Sequence, residues 1–471
     1  MSDDFKMAPG LETGIDKDAF RDEEGWISAL WLERLRAFIE AGRSEDVALV
    51  MAPLHTSDVG DVLEQLVHYE RLALVRMLGD RFDFSALTEV DESIRVEIME
   101  ALPNADIARG VAELDSDDAV FLLEDLEKAD QDEILSALPT FERLSLKRSL
   151  DFPEDSAGRR MQTDFIAIPP FWTVGQTIDY LRTEKDLPDE FYQIYVVDAA
   201  YKVLGTLPLD KFLRAGRATK IDTIMNTSLV MVKAEEDQEE AARMFERYDL
   251  VEVGVVDDSG RLVGVLTIDD IVDVIQEEAE EDIRLMAGVG DEDVSDTIVD
   301  TVKSRAPWLG VNIVAAVLVS FVIGLFNATI EQMVALAVLM PIVASMGGNA
   351  GAQTMTVTVR ALAMRELDGG RLKRLIRREM VVGFANGVIF AILLGIVTAL
   401  RYSNVGLGVV IGMAMVINMI VAGTFGILVP LTLDKLKADP AIASAVFVTT
   451  ITDIVGFFAF LALAGLWFGL F

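Results

Sequence analysis

The sequence predicts a multidomain membrane protein in which an acidic soluble part is followed by a bundle of five membrane-spanning α-helices. The chain has 471 residues, too many for one hydrophobic core. Its mean hydropathy is +0.36 although 25% of its residues are charged. Residues 301–471 contain 12 Lys or Arg and 7 Asp or Glu, a net charge of +5 within a total of −36, which leaves −41 for residues 1–300. The charge and the apolar sequence are therefore on different parts of the chain.

The composition excludes several classes of protein. A net charge of −41 repels nucleic acid, so we expect no nucleic-acid partner. The chain has no cysteine and two histidines, which leaves no thiolate site and few ligands for a borderline metal. No Ser/His/Asp or Cys/His set is recognisable, so we do not expect an enzyme. Carboxylate oxygens are abundant, and these suit hard cations such as Mg²⁺ and, to a lesser degree, Mn²⁺ and Co²⁺.

The membrane part, residues 308–471, is predicted from long apolar segments. A helix needs about 20 apolar residues to cross a bilayer, and five segments are long enough. They are residues 308–326, 332–359, 379–400, 405–432 and 441–471.

The basic residues near these segments predict the orientation. One side of the membrane receives Lys303, Arg305, Lys435, Lys437 and the seven Lys or Arg between positions 360 and 378, whereas the other side receives only Arg401. Basic residues accumulate on the cytoplasmic side of membrane proteins. We therefore expect residues 1–307 to be cytoplasmic and the C-terminus to lie outside.

The start of the soluble part is predicted to be all-α. After a tail at 1–25, which we expect to be disordered, residues 26–158 have apolar positions at three- and four-residue spacing. The segment LHTSDVGDVLEQL at 54–66 resembles LPNADIARGVAEL at 102–114, which favours short helical units stacked into a superhelix. Chance similarity between Leu- and Ala-rich helices is the alternative.

Residues 159–275 contain a duplicated α/β unit, with copies at 159–218 and 219–275. IYVVDAAYKVLGTLPLDKFL at 194–213 and VGVVDDSGRLVGVLTIDDIV at 253–272 share the order strand, turn, strand, helix. The unit resembles a pair of CBS domains, regulatory modules that bind adenine nucleotides or metal ions. The resemblance implies that Thr267 and Asp270 hold a ribose hydroxyl of a ligand such as ATP. The first copy has Leu207 at the threonine position, and a pair used only for packing and dimerisation remains the alternative.

A long acidic connecting helix is predicted within residues 276–307. Its carboxylates are crowded at helical neighbour distances, where like charges repel. They are Glu277, Glu278, Glu280, Glu281 and Asp282. A solvated acidic connector is one interpretation. The other is an ion sensor, because divalent cations that bridge acidic surfaces stabilise a compact state.

Two features of the membrane part indicate an ion path. Asp453 is a carboxylate deep in the last segment, where it needs water, a cation or a partner, and Thr449 lies about one turn before it. In the second segment, Gly347 and Gly351 form a G-x-x-x-G pattern whose ordinary meaning is close helix packing. Pro341 and the polar residues Asn349 and Gln353 instead favour a loosened helix that lines a cavity.

The order of these parts resembles the MgtE family of bacterial Mg²⁺ channels over essentially the whole chain. The resemblance rests on PIVASMGGNAGAQT at 341–354, on DPAIAS and TTITDIVG within 439–456, and on AGRRM at 157–161 before the CBS-like pair. It implies a homodimer in the bacterial inner membrane with one pore between the subunits. The implied pore residues are Asp453, the carbonyl of Thr449, Gly347, Gly348 and Asn349.

The resemblance also implies regulatory Mg²⁺ sites on the soluble part and a plug helix at about 277–282. The implied sensor residues are Asp269, Asp273, Glu277, Glu278, Glu280 and Glu281, with Asp117 and Asp118 as candidates in the helical domain. We therefore expect Mg²⁺ influx through a channel that closes when cytosolic Mg²⁺ is high. The alternatives are an ion-coupled divalent-cation transporter and a membrane-anchored sensor of Mg²⁺ or nucleotide that conducts no ions.

Overall fold

The computed structural model describes residues 20–185, 187–188, 190–289, 298–363, 365, 367, 369–441 and 444–470. The chain divides into two compact units, Met1–Ile275 and Gln276–Phe471. Most of the predicted disordered tail at 1–25 lies outside the described residues. The structure confirms the predicted class: a helical domain, a CBS pair and five helices long and apolar enough to cross a membrane.

Among the described residues, the helical domain consists of nine short α-helices around one apolar core. They are α1 (Ala29–Glu40), α2 (Ser44–Met51), α3 (Thr56–Gln65), α4 (His68–Leu78), α5 (Glu92–Ala101), α6 (Asn104–Val111), α7 (Ser116–Glu124), α8 (Lys128–Ala137) and α9 (Thr140–Leu150). Leu35, Leu63, Ile98 and Leu122 are fully buried in this core. The two echoed segments fold alike, since α3 and α6 each begin two residues after the shared leucine.

The duplicated unit forms two three-stranded sheets of the same topology. The elements are β1 (Ala167–Ile168), α10 (Val174–Thr183), β2 (Gln193–Val197), β3 (Val203–Pro208), α11 (Leu209–Arg214), β4 (Met231–Lys233), α12 (Gln238–Tyr248), β5 (Glu252–Val256) and β6 (Leu262–Thr267). In each copy the first strand pairs in parallel with the second, and the second pairs antiparallel with the third.

Irregular positions of the two sheets also match, which supports a duplication. The register shifts between Val196 and Val197 in the first copy and between Val255 and Val256 in the second. The predicted hairpin turn is present: the Gly260 N–H donates to the Asp257 carbonyl at 2.8 Å, and Gly260 has a φ of +75°. Glycine adopts such a φ without the steric cost of a Cβ.

The predicted connecting helix differs from the observed one. Helix α13 (Ile268–Ala287) starts directly after β6, so the acidic residues at 277–282 extend a helix that begins inside the second CBS copy. Residues 290–297 lie outside the described part. The next helix, α14 (Ile298–Gly324), starts well before the predicted first membrane segment and contains Pro307.

The membrane unit consists of α14 and five further helices. They are α15 (Asn327–Gln332), α16 (Ala335–Ala363), α17 (Gly369–Tyr402), α18 (Val405–Lys435) and α19 (Ser444–Phe468). Helices α16, α18 and α19 pack against one another, and α17 packs along α18. A cluster that includes Leu336, Val410 and Phe460 forms the core where α16, α18 and α19 meet.

The prediction of a loosened second membrane helix is wrong. Helix α16 runs without interruption through Pro341 and the glycines. Its glycines instead allow close packing: a Cβ on Gly351 would lie 2.5 Å from Val448 Cγ1 on α19. The ordinary meaning of the G-x-x-x-G pattern therefore applies here.

Candidate ion path and acidic interface

A groove in the membrane unit contains the two predicted ion-path residues of the last helix. The groove has a volume of about 790 Å³, and Asp453, Thr449 and Thr450 line it from α19. Asn312 and Ser320 line it from α14, and residues 285–289 line it at the end of α13. Asp453 is half-buried rather than enclosed. The groove therefore brings a carboxylate, hydroxyl groups and the end of the acidic helix together.

The threonines before Asp453 tie their hydroxyls to the helix backbone. Thr449 Oγ1 donates to the Ala445 carbonyl at 2.6 Å, and Thr450 Oγ1 donates to the Val446 carbonyl at 2.6 Å. The buried Thr452 donates to the Thr449 carbonyl at 2.9 Å, the oxygen that the resemblance assigns to the hydrated ion. Such back-bonding bends helices slightly and re-aims carbonyl groups. The sequence pattern found these threonines but not the bond from Thr452.

Helix α16 presents a polar stripe on its exposed face. Ser345, Asn349, Gln353 and Thr356 recur at three- and four-residue spacing and are all exposed. The prediction that Asn349 and Gln353 share a face is confirmed. Exposed polar side chains in the middle of a membrane helix need water or a partner, because lipid offers no hydrogen bonds.

The two glycines predicted for the ion path have different surroundings. A Cβ on Gly348 would lie 3.3 Å from Thr449 Cγ2, so Gly348 brings α16 against the ion-path turn of α19. Gly347 is buried and faces Asn418 of α18, where a Cβ would lie 2.1 Å from Asn418 Nδ2. Gly347 therefore packs behind the polar stripe rather than on it.

A second buried carboxylate in the membrane unit was missed from the sequence. Glu379 lies inside the third candidate span, Gly370–Tyr402, and is 8% exposed. It accepts a hydrogen bond from Thr354 Oγ1 of α16 at 3.2 Å. Glu379 directly follows a run of basic residues, which resembled a cytoplasmic loop in the sequence. The structure shows that these residues form the start of α17.

In the soluble unit, α7 of the helical domain meets the second CBS copy through acidic side chains. Asp117 is buried, and its carboxyl group hydrogen-bonds that of Asp270 at the start of α13. Among the described residues, the buried Asp117 Oδ1 has no hydrogen-bond partner. The charges of Asp115, Asp118, Asp269 and Glu89 surround this pair. We call these six residues the acidic interface.

Burial and mutual repulsion raise the pKa values of Asp117, Asp118 and Asp270 in the acidic interface. Burial, the charge of Asp270 and the charge of Asp118 raise the pKa of Asp117 well above its ordinary range. Burial, followed by the charges of Asp270, Asp115, Asp269 and Glu89, raises the pKa of Asp118 to about 7. Burial raises the pKa of Asp270 to about 6, against the opposing hydrogen bond from Thr267. Without a bound cation, these groups therefore take up protons near neutral pH.

The structure brings some of the predicted sensor residues together and leaves others apart. Asp117, Asp118 and Asp269 belong to the acidic interface, and Asp273 lies near it, since Glu89 and Asp269 raise its pKa together with burial. Along the second half of α13 follow Glu277, Glu278, Glu280 and Glu281. Among the described residues, no three acidic or histidine side chains converge closely enough to hold a metal ion as placed. The donor set nevertheless fits a hard cation, because its oxygens include the unpartnered Asp117 Oδ1.

The predicted nucleotide residues adopt a compact local arrangement. Asp270 Oδ2 accepts hydrogen bonds from Thr267 Oγ1 at 2.5 Å and from the Thr267 N–H at 3.4 Å. Because Asp270 also contacts Asp117, it serves both the predicted ribose site and the acidic interface. The sequence did not indicate this overlap.

The end of α13 contacts the membrane helices of its own unit. Leu285 and Met286 pack on a cluster that includes Met355 of α16 and Val448 of α19. Burial, and then the charge of Asp439, raises the pKa of Asp282. The acidic helix thus ends against the loop between α18 and α19 and beside the groove.

A CBS pair followed by an acidic helix and, among the described residues, five candidate membrane spans indicates a multi-pass membrane protein. Residues 340–463 match a family described as a divalent cation transporter, residues 54–155 match the MgtE intracellular N domain, and residues 221–277 match the CBS domain. The chain belongs to the MgtE family of magnesium transporters.

Curated relatives support this assignment. The chain is 33% identical over 321 residues to the magnesium transporter MgtE of Enterococcus faecalis, covering 68% of this chain and 71% of the relative. It is 28% identical to that of Bacillus subtilis, covering 92% of this chain and 96% of the relative. The crystal structure of the cytosolic domain of the Mg²⁺ channel MgtE in complex with ATP covers 52% of this chain and 99% of its own, at 27% identity and a TM-score of 0.48.

The raised pKa values predict that protons and divalent cations stabilise the acidic interface interchangeably. A carboxyl group with a raised pKa stabilises the compact state below its ordinary pKa of about 4 and loses that effect as the pH rises through its folded value. In chelator, the contact between α7 and the CBS copy should therefore loosen as the pH rises from about 4 to 7, up to the values of about 6 for Asp270 and about 7 for Asp118. Mg²⁺ at pH 8 should restore it.

The variant Ser116→Cys measures this contact, since the chain has no other cysteine. Ser116 is buried, and its Oγ accepts a hydrogen bond from the Thr163 N–H at 2.7 Å. Its maleimide labelling rate, normalised to the unfolded protein at each pH, should rise with pH in chelator and fall with Mg²⁺. Adding Asp118→Asn should flatten the pH dependence, and adding the exposed Asp132→Asn should not. A labelling rate that responds to neither pH nor Mg²⁺ contradicts the prediction.

Proposed function

We propose that the chain is a Mg²⁺ channel for influx whose soluble part closes the path when cytosolic Mg²⁺ is high. The observation that carries the proposal is the groove that holds Asp453 and the end of the acidic helix α13 side by side. A carboxylate in this position attracts a cation, and the helix end is placed to respond to whatever the acidic region binds. Transport and regulation then share one location.

The ion path is completed by a second copy of the chain. Asp453 lies in a groove open on one side, and the stripe Ser345, Asn349 and Gln353 is exposed on α16. In a homodimer these surfaces face a shared, hydrated lumen, which provides the water that such polar groups need within lipid. Mg²⁺ dehydrates reluctantly, so we expect it to pass the two Asp453 carboxylates and the Thr449 carbonyls with its waters retained.

Regulation follows from the like charges in the soluble unit. Asp117, Asp118, Asp269 and Asp270 lie close together at the contact between the helical domain and the second CBS copy. Divalent cations offset their repulsion and favour the compact state, so the population of that state depends on the Mg²⁺ concentration. We propose that the compact state holds α13 against the membrane helices and closes the path, whereas low Mg²⁺ releases it.

The orientation needed for this mechanism agrees with the charge distribution. Basic residues concentrate near the start of α14, around the connection between α16 and α17 and at the end of α18, which supports a cytoplasmic acidic part and a C-terminus outside. An inside-negative membrane potential then drives Mg²⁺ inward, at about 2.3 kcal/mol per charge per 100 mV. Influx through this path requires no hydrolysis of a nucleotide.

A nucleotide site in the second CBS copy would let ATP regulate the channel in addition to Mg²⁺. The Thr267 hydroxyl and the Asp270 carboxylate are already hydrogen-bonded to each other and are placed to hold ribose hydroxyls. Because Asp270 is part of the acidic interface, we propose that ATP and Mg²⁺ influence each other's affinity.

Replacing Asp453 by asparagine should reduce Mg²⁺ influx into liposomes by at least about tenfold, because the amide cannot attract the cation electrostatically. The measurement is Mg²⁺ entry followed with an entrapped fluorescent indicator, with no H⁺ or Na⁺ gradient. Glu331→Gln, at an exposed carboxylate of α15, is the matched control and should leave influx unchanged. Equal influx in wild type and Asp453→Asn contradicts the path, and influx that needs an H⁺ or Na⁺ gradient contradicts a channel.

Replacing Asp270 by alanine should weaken ATP binding by at least about tenfold, since a charged hydrogen-bond acceptor for the ribose is lost. Calorimetric titration of the full chain with ATP measures this. Asp210→Ala, at a carboxylate near the start of α11 in the first copy, should bind ATP as wild type does. ATP affinity that is unchanged by Asp270→Ala, or lost equally in both variants, contradicts the assignment.

A further inference from the structure

The buried amide of Asn418 lies at the junction of three membrane helices. Asn418 is fully buried in the middle of α18. Its Nδ2 donates a hydrogen bond to the Val343 carbonyl of α16 at 2.9 Å. Its Oδ1 is also buried and has no hydrogen-bond partner among the described residues. A buried polar group with half of its hydrogen bonds unmade is costly, so packing alone does not account for an amide here.

Two glycines on two other helices make room for this amide. A Cβ on Gly347 of α16 would lie 2.1 Å from Asn418 Nδ2, and a Cβ on Gly456 of α19 would lie 2.7 Å from the same atom. Contacts this short do not occur at real Cβ atoms, so neither position accepts a larger residue while Asn418 keeps its place. The amide therefore fits between the backbones of α16 and α19 and fixes how closely they approach.

Both glycines are next to the residues of the proposed ion path. Gly456 lies about one helical turn after Asp453, and Gly347 lies two residues before Asn349 in the sequence. Gly348 at the same level contacts Thr449. A change in the separation or rotation of α16 and α19 at Asn418 consequently moves Asp453 relative to Asn349.

We propose that Asn418 is a positioning residue that sets the spacing between Asp453 and the polar stripe of α16 and thereby the selectivity of the path among divalent cations. This inference rests on the proposed function. It adds that Asn418, which does not line the groove, contributes to selectivity through the packing of the helices that do. A path of fixed width favours one hydrated cation over others, and a path whose walls shift loses that discrimination.

The first test enlarges the residue at position 347 of α16 and then reduces the facing residue at position 418 of α18. Gly347→Ala should lower Mg²⁺ influx by at least about tenfold, because small displacements of positioned groups have large effects on rate. The double variant Gly347→Ala with Asn418→Ala should recover most of the loss, since the amide that blocks the new methyl group is gone. Gly310→Ala, in α14 with open space around the position, is the control and should behave as wild type. A double variant no more active than Gly347→Ala contradicts the proposal.

The second test uses Asn418→Leu, which keeps a branched side chain of similar shape but removes the hydrogen bond to Val343. Influx of Mg²⁺, Co²⁺ and Ca²⁺ is measured in parallel, with thermal unfolding of each detergent-solubilised variant. We expect the preference for Mg²⁺ to fall by several-fold. Unchanged preference in a folded Asn418→Leu protein contradicts a positioning role, whether or not its melting temperature changes. If Asn418→Leu does not fold, the preference is measured in the double variant, with the same two outcomes.

Asp453→Asn in the same assay distinguishes a failure of the positioning role of Asn418 from a failure of the proposed ion path. If Asp453→Asn abolishes influx while the Asn418 variants keep wild-type selectivity, the inference is wrong and the proposed path remains. If Asp453→Asn conducts normally, the proposed path itself is wrong.

Discussion

The repulsion between carboxylates that the fold places side by side is the interaction on which the rest of the structure depends. Asp117 and Asp270 are hydrogen-bonded to each other across the contact between the helical domain and the second CBS copy, with Asp118 close by. Such a contact is stable only when protons or cations offset the charge. The acidic composition of the soluble part therefore affects the stability of this contact as well as the solubility of the protein. We propose that it makes the compact state depend on the ions around the protein.

The membrane unit follows a different constraint, the absence of hydrogen-bond partners in lipid. Its described polar side chains have different surroundings: Thr449 and Thr450 hydroxyls bond to their own helix, Asn418 and Glu379 bond to a neighbouring helix, the polar stripe of α16 is exposed, and Asp453 lines a groove. Glu379 is a buried carboxylate, whereas Asp453 is half-buried. We propose that this separation between satisfied and accessible polar groups distinguishes the path from the scaffold that supports it.

The sequence predicted the features that depend on local pattern and failed where distant residues meet. The domain order and the duplicated sheet unit followed from the periodicity and repetition of the sequence. Asp453 was recognised because a carboxylate within a membrane helix is energetically unfavourable unless it has water, a cation or a partner. The unbroken course of α16 did not, because the fit of Gly351 against Val448 depends on the packing of two helices. The meeting of Asp117 with Asp270 was missed for the same reason. Glu379 was missed because the basic residues before it resembled a loop.

The central claim is that Mg²⁺ on the side of the acidic region closes the path. The most direct measurement is the current through wild-type channels in excised patches while Mg²⁺ is varied at the face that carries the soluble part, with Mg²⁺ on the other face held constant. The account predicts that the open probability falls as Mg²⁺ at that face rises and recovers when Mg²⁺ is removed. An open probability independent of Mg²⁺ at that face would contradict it.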